Sequence, residues 1–174
     1  MKRMAAGLVA MAWSASALSA QSPAQFQTIE GVMTELYASV TRQPGKPFEW
    51  QRLRAIMLPG AHLLPQQRQT QGQSRLMSVD SFIAWIDAGW RGVIGTERDQ
   101  GFFERQINMV VDQYGDIAQV FTTYEKGPYQ PRQIQGRGVN AVQLVKRDGR
   151  WWILSITWDE ENAAGPLPAK YRGS

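Results

Sequence analysis

From Phe26 to Val40 the apolar side chains Phe26, Ile29, Val32, Met33, Leu36, Tyr37 and Val40 return every three or four positions, the period of one helix face. Ser22, Pro23 and Gln25 supply a cap, a first-turn proline and a capping-box glutamine, so the helix is expected to start there and to run to about Thr41. Gln43-Pro44-Gly45-Lys46-Pro47 breaks it. Trp50, Leu53, Ile56 and Met57 predict a short second helix stopped by Pro59-Gly60, and Ala61 to Leu64 a short strand. Residues 66–75 are rich in glutamine and nearly free of apolar groups, the pattern of a surface loop. Ser78 caps a third helix carrying Val79, Phe82, Ile83 and Ile86, with Gly89 as its stop.

Beyond residue 101 the period changes. β-Branched and aromatic residues dominate, and strands are expected at about 101–111, 117–125, 138–147 and 151–159. Asp148-Gly149 between two apolar runs is the strongest hairpin signal in the chain. Helices first and an antiparallel meander after them define an α+β fold, with N-terminal helices packed on a curved antiparallel sheet. The tail 162–174, with Pro166 and Pro168, is expected to be extended.

Composition sharpens this picture at three points. The chain has 174 residues, enough for one ordinary domain, and seven tryptophans, which need a deep core, a pocket or a partner. It has no cysteine, which excludes thiol chemistry and disulfides. Residues 1–20 follow a secretory pattern: Lys2 and Arg3, an apolar stretch from Ala5 to Ala17, then Ala17-Leu18-Ser19-Ala20 as the cleavage signal before Gln21. That pattern predicts export to the periplasm or medium, a folded unit over 21–161, and no membrane segment after cleavage. Without Lys2 and Arg3 the chain carries 17 basic and 15 acidic residues, scattered rather than striped, so no nucleic-acid partner is expected.

The order helix–helix–strand–helix–meander, with its Asp148-Gly149-Arg150-Trp151-Trp152-Ile153 ending, resembles the nuclear transport factor two-like superfamily. Gly101-Phe102-Phe103-Glu104-Arg105, Gly115-Asp116-Ile117-Ala118-Gln119-Val120-Phe121 with Tyr124-Glu125, and Arg137-Gly138-Val139-Asn140 are similar to a group of exported bacterial members. The resemblance spans roughly residues 26–161 and implies a cone-shaped, cystatin-like α+β roll. Its ketosteroid isomerase-like and polyketide cyclase-like branches share this cone-shaped fold, which carries enzymes, binding modules and assembly domains alike.

Strand register follows from the turns. Centring the three connections near residues 114, 131 and 148–149 places Glu104 beside Tyr124, Gly138 and Asp159. The next row is then Gln106, Thr122, Asn140 and Thr157, and rows of Asn108, Val120, Val142, Ser155 and of Val110, Ala118, Leu144, Ile153 follow toward Trp151. This face is apolar at one end and polar at the other, the composition of a small-molecule site. Glu104, Tyr124, Asn140, Thr157, Trp151 and His62 are the expected ligand-binding residues. Glu104 or Asp159 would serve as base and Tyr124 as donor in an isomerase, cyclase or dehydratase; the alternative is a pair of carboxylates at a solvated sheet end. Glu125 and Arg137 are expected to pair on the other face, where Phe121, Val139, Trp152 and Leu154 make an apolar surface suited to a homodimer. His62 is the only histidine, and neither a multi-histidine metal site nor a cofactor motif is present. Three readings stand: a binder of a small apolar or aromatic ligand, a proton-transfer enzyme, and a structural dimerisation module.

Overall fold

In the computed structural model, which describes residues 23–66, 75–161 and 165–173, the first helix starts later than the sequence suggests. Pro23 heads a 3-10 turn, Ala24–Gln27, and Thr28 then caps α1, Ile29–Ser39, its hydroxyl accepting from Gly31 N at 3.0 Å. Ser22, the expected cap, lies outside the described residues. Ile29, Val32, Met33 and Leu36 are buried, so the helical period does mark the core face. Helix α2, Trp50–Ile56, passes directly into strand β1, Met57–Pro65, which shifts register between Met57 and His62, around Pro59-Gly60. A two-residue strand β2, Met77–Ser78, precedes α3, Val79–Trp90, whose cap Ser78 accepts from Ser81 N at 3.2 Å. Gly89 does not stop α3; Trp90 still belongs to it.

The meander is β3, Phe103–Tyr114, β4, Ile117–Gly127, β5, Gly136–Arg147, and β6, Arg150–Glu160. Asp148 and Gly149 both take positive φ, 52° and 75°, as a two-residue hairpin requires. The six strands lie in the order β2-β1-β6-β5-β4-β3. The sheet is mixed rather than purely antiparallel, because β1 runs parallel to β6. The fold is α+β, with the helices laid over one face of a curved sheet. Val32, Met33, Leu53 and Ile56 from the helices meet Val120, Val142 and Ile153 from the sheet in one core.

Two β-bulges decide which side chains face that core. On β3, Gln106 pairs with Tyr124 but Asn108 pairs with Thr123, leaving Ile107 as an extra residue. On β6, Ile153 pairs with Leu144 but Ser155 pairs with Gln143, leaving Leu154 extra. Each bulge exchanges the two faces for the rest of its strand and tightens the local twist. Met109 therefore joins the inner face and Asn108 the outer one, the reverse of the regular register. Between the bulged pairs, β4 and β5 stay in the expected register over their whole length, and Glu125 faces Arg137, with 3.9 Å between their charged groups.

The C-terminal segment is more than an extended tail. A 3-10 turn, Ala169–Tyr171, lies on the outer face of β3 and β4, where Tyr171 stacks on Phe121 with ring centroids 5.4 Å apart. Thr123 donates to the Tyr171 carbonyl at 2.6 Å and Asn108 to the Lys170 carbonyl at 3.1 Å. Residues 1–20, the expected signal peptide, and 67–74, most of the expected loop, lie outside the described residues. Among the described residues no helix is long and apolar enough to cross a membrane.

Candidate functional site

Cross-strand partners project to the same face, so the register fixes what meets at the wide end of the cone. Glu104 lies opposite Lys126, Tyr124 opposite Gly138 and Gly138 opposite Glu160; one row deeper, Thr122 lies opposite Asn140 and Asn140 opposite Trp158. Gly138 supplies a gap in this row. A Cβ there would come within 2.4 Å of the Tyr124 hydroxyl and 2.5 Å of the Asp159 carbonyl, so only glycine lets the Tyr124 ring cross the strand. Across that gap Tyr124 donates to Glu160 at 3.4 Å, and Lys126 forms an ion pair with the same carboxylate.

Above these groups lies a cavity of about 370 Å³, lined on its apolar sides by residues of α1, α2 and α3 and on its polar end by Glu104, Tyr124, Lys126, Asn140 and Glu160. Its wall is a connected set of aromatic rings. Phe48 stacks on Trp50 at 4.7 Å, and Trp50 meets Phe82 edge to face. Phe82 in turn contacts Trp85 and Trp158, while Trp90 bridges Phe48 and Phe102. Offset and edge-to-face pairs of this kind hold rings in fixed orientation, with roughly 0.5–1.5 kcal/mol per pair beyond simple burial. Trp85 is 40% exposed and marks the mouth.

The wall is braced from behind. Arg42 and Asp99 form a buried ion pair, their side chains 0% and 1% exposed. The Asp99 carboxylate also accepts from the backbone N–H groups of Gly45, Gly95 and Gly101, so it ties the 43–49 and 91–102 segments together. Arg42, with these donors around it, holds the Asp99 carboxyl well below the usual carboxylate range. The guanidinium lies 4.1 Å from the Trp90 ring centre and 5.6 Å from that of Phe48.

Glu104 has the opposite environment. Burial pushes its carboxyl up to about 7; Lys126 and a hydrogen bond from Asn140 pull it back only in part, and Glu160 raises it further. Burial also raises Tyr37 and Tyr124 above the ordinary phenol range, with Glu104 adding to both, so both hydroxyls stay protonated. The Tyr37 hydroxyl accepts from Asn140 Nδ2 at 3.2 Å and shares a 2.9 Å hydrogen bond with Thr122, whose hydroxyl donates to the Asn108 carbonyl. Tyr37 is thus committed to the frame and orients Asn140, whereas Tyr124 stands over the cavity. On its other side Glu104 borders a polar groove between α1 and β3, with Lys46, Arg105 and Arg132 along it.

Of the residues the sequence singled out, the structure brings Glu104, Tyr124 and Asn140 together around the cavity. It does not bring the other four there. Asp159 pairs with Val139 and Thr157 with Ala141, both on the outer face, because the extra residue Leu154 exchanges the faces of β6. Thr157 donates instead to the Leu64 carbonyl at 2.9 Å. Trp151 is 3% exposed inside the hydrophobic core. His62 points outward from β1, between the buried Ala61 and Leu63, and is exposed. The places of Asp159 and Thr157 go to Glu160 and Trp158. Lys126 lay one residue past the expected end of its strand; Trp50 and Phe82 read from sequence as apolar helix positions, and Trp85 and Trp90 were not singled out. Among the described residues no three carboxylate or imidazole groups converge as metal ligands.

An open cone of helices over a curved sheet, with a pocket at its wide end, is the nuclear transport factor 2-like fold, and this chain adopts it. No protein-family model matches the sequence, and no curated protein matches it. Solved structures do. A protein of unknown function with a cystatin-like fold from Nostoc punctiforme superposes with a TM-score of 0.59 at 10% identity, covering 78% of this chain and 90% of that one. LinA superposes with a TM-score of 0.57 at 11% identity over 84% of this chain and 91% of its own. An NTF-2 like protein of unknown function from Silicibacter pomeroyi gives 0.51 at 18% identity over 76% and 92%. At these identities the likeness establishes the fold and leaves the chemistry to the site itself.

Proposed function

We propose that this domain binds a small, flat, largely apolar molecule in the cone, with its polar end against Glu104, Tyr124 and Asn140. The supporting observation is a cavity of about 370 Å³ whose walls are interlocked aromatic rings and whose polar groups gather at one end. Large side chains line this space and do not fill it, which weighs against a purely structural module. Titration calorimetry with 2-naphthalenemethanol is the test. Binding is expected, together with a shift of the Glu104 carboxyl titration followed by carbon-detected NMR. No heat and an unmoved titration would overturn the reading.

A second reading, proton transfer, rests on Glu104 itself. A carboxyl pushed up to about 7 exchanges protons near neutrality, and Tyr124 is a protonated donor on the same cavity. Glu104 would take a proton next to a carbonyl while Tyr124, turning its one hydroxyl proton from Glu160 to the substrate, stabilises the charge that develops on oxygen. The chain is expected to accelerate deuterium exchange at the acidic C–H positions of 2-tetralone, and Glu104→Gln to remove the acceleration. A rate equal to that in buffer leaves binding alone. The proposal extends to export, supported by Lys2, Arg3 and the apolar run to Ala20, and to a homodimer through the outer face, supported by the half-buried Val139 and Trp152 beside the Phe121 that Tyr171 covers.

A further inference from the structure

Among the described residues, the charges at the polar end of the cavity do not balance. Two carboxylates, Glu104 and Glu160, face one ammonium, Lys126, and that ammonium is already in contact with Glu160. Tyr124 and Asn140 offer dipoles but no charge. The groups that bear on Glu104 come from every packed element: Tyr37 from α1, Tyr124 and Lys126 from β4, Asn140 from β5 and Glu160 from β6. Most basic residues of the outer groove are engaged elsewhere. Arg42 is bound to Asp99, Arg52 to Glu35 and Glu49, and Arg105 to Glu125. Arg132 lies 4.4 Å from the Phe103 ring centre, and Lys46 stays in the groove. Among the described residues, Lys126 is the cation that bears on Glu104.

The walls have the same electrical preference. Aromatic rings carry negative faces and attract a cation within about 6 Å of their centres. The Arg42 guanidinium already lies on the Trp90 and Phe48 rings from behind. The cavity thus combines an unneutralised carboxylate with a box of aromatic rings, and both disfavour an anionic ligand.

Resting on the ligand-binding reading above, we infer that the cavity selects a hydrophobic organic cation, an aryl- or alkyl-ammonium whose charge pairs with Glu104 while its apolar body lies among Trp50, Phe82, Trp85 and Trp158. The ammonium would complete a charge set that the protein leaves one cation short. Neutral molecules of the same shape would enter with lower affinity, and carboxylic acids would be turned away by Glu160 and Glu104 together.

Three probes of one shape test this in the full chain: 2-naphthalenemethanamine, 2-naphthalenemethanol and 2-naphthoate, with Kd read by titration calorimetry. At about pH 8, where Glu104 is ionised, the amine is expected to bind about tenfold more tightly than the alcohol, a difference equivalent to one pKa unit of charge interaction. The naphthoate is expected to bind most weakly. The preference for the amine should vanish at about pH 5.5 in the unaltered chain, where Glu104 is protonated, and at both pH values in Glu104→Gln. An alcohol or naphthoate that binds as tightly as the amine at pH 8 overturns the inference and leaves the pocket standing. An amine preference that survives both acid and Glu104→Gln also overturns it, since the charge pairing would lie elsewhere. If none of the three binds, the pocket reading falls and the inference falls with it.

Discussion

Glu104→Gln is expected to stabilise the domain at pH 8 by about 2 kcal/mol and to leave it unchanged near pH 4. The sign follows from proton linkage. The Glu104 carboxyl titrates at about 7 in the folded chain against 4.5 as an ordinary glutamate, so between those values the folded state holds a proton that the unfolded state has lost. Stability therefore falls as pH rises through that window, by about 3 kcal/mol at the limit, and is level above it. Some of that figure is screened because the carboxyl borders an open cavity. Glutamine is nearly isosteric and carries no charge to desolvate, so it removes the slope and keeps a hydrogen-bonding partner for Asn140. Urea unfolding of both proteins between pH 4 and 9 measures the effect. Parallel curves would mean that Glu104 is hydrated and that its place in the cavity is not what the geometry indicates. A buried carboxyl that lowers stability at neutral pH is a candidate for a functional role, and this links the thermodynamic experiment to the functional one.

Asp99→Asn is expected to cost about 3 kcal/mol, since breaking a buried ion pair leaves an uncompensated charge. The substitution changes almost no volume, so the loss is electrostatic. Arg42 keeps its place among the rings without its counter-ion, and Gly45, Gly95 and Gly101 lose their shared carboxylate. Here the folded carboxyl sits below its ordinary value, so its contribution is fully present above about pH 4 and is lost as pH falls further. Urea unfolding at pH 7 is the check; an unchanged midpoint would mean that the pair is replaceable by solvent. The two carboxylates give stability opposite slopes, Asp99 on the acid side and Glu104 toward neutrality. Maximum stability is expected between them, near pH 4 to 5.

The helices, the hairpin at Asp148-Gly149 and the β4–β5 register were legible because each has a local cause: a 3.6-residue period, a dipeptide tolerant of positive φ, and a loop symmetric about residue 131. Tyr124 and Asn140 came from that register; Glu104 pairs with Lys126 rather than with Tyr124 as expected, and it keeps its face because an offset of two residues preserves the pleat and it lies before the β3 bulge. Asp159 and Thr157 were lost to one extra residue, and nothing about Leu154 announces a bulge. The trace was there in the apolar spacing. Trp151 and Ile153 lie two apart, then Ile156 and Trp158 resume after a step of three, and continuing that parity reaches Glu160. His62 was misplaced for a different reason: β1 joins β6 in parallel, a long-range pairing that no local pattern specifies. The aromatic wall was unreadable because Trp50 and the trio Phe82, Trp85 and Trp90 come from two helices that only packing brings together.

The C-terminal segment across β3 and β4 has a kinetic side. Its stacking ring, Tyr171, is tethered to the sheet it covers, and a short tether gives a local concentration on the order of millimolar. A second molecule approaching Phe121 in free solution competes against that concentration. The 169–171 turn therefore acts as a built-in competitor for the Phe121 part of the outer face, and self-association there is governed by how readily that turn lifts away.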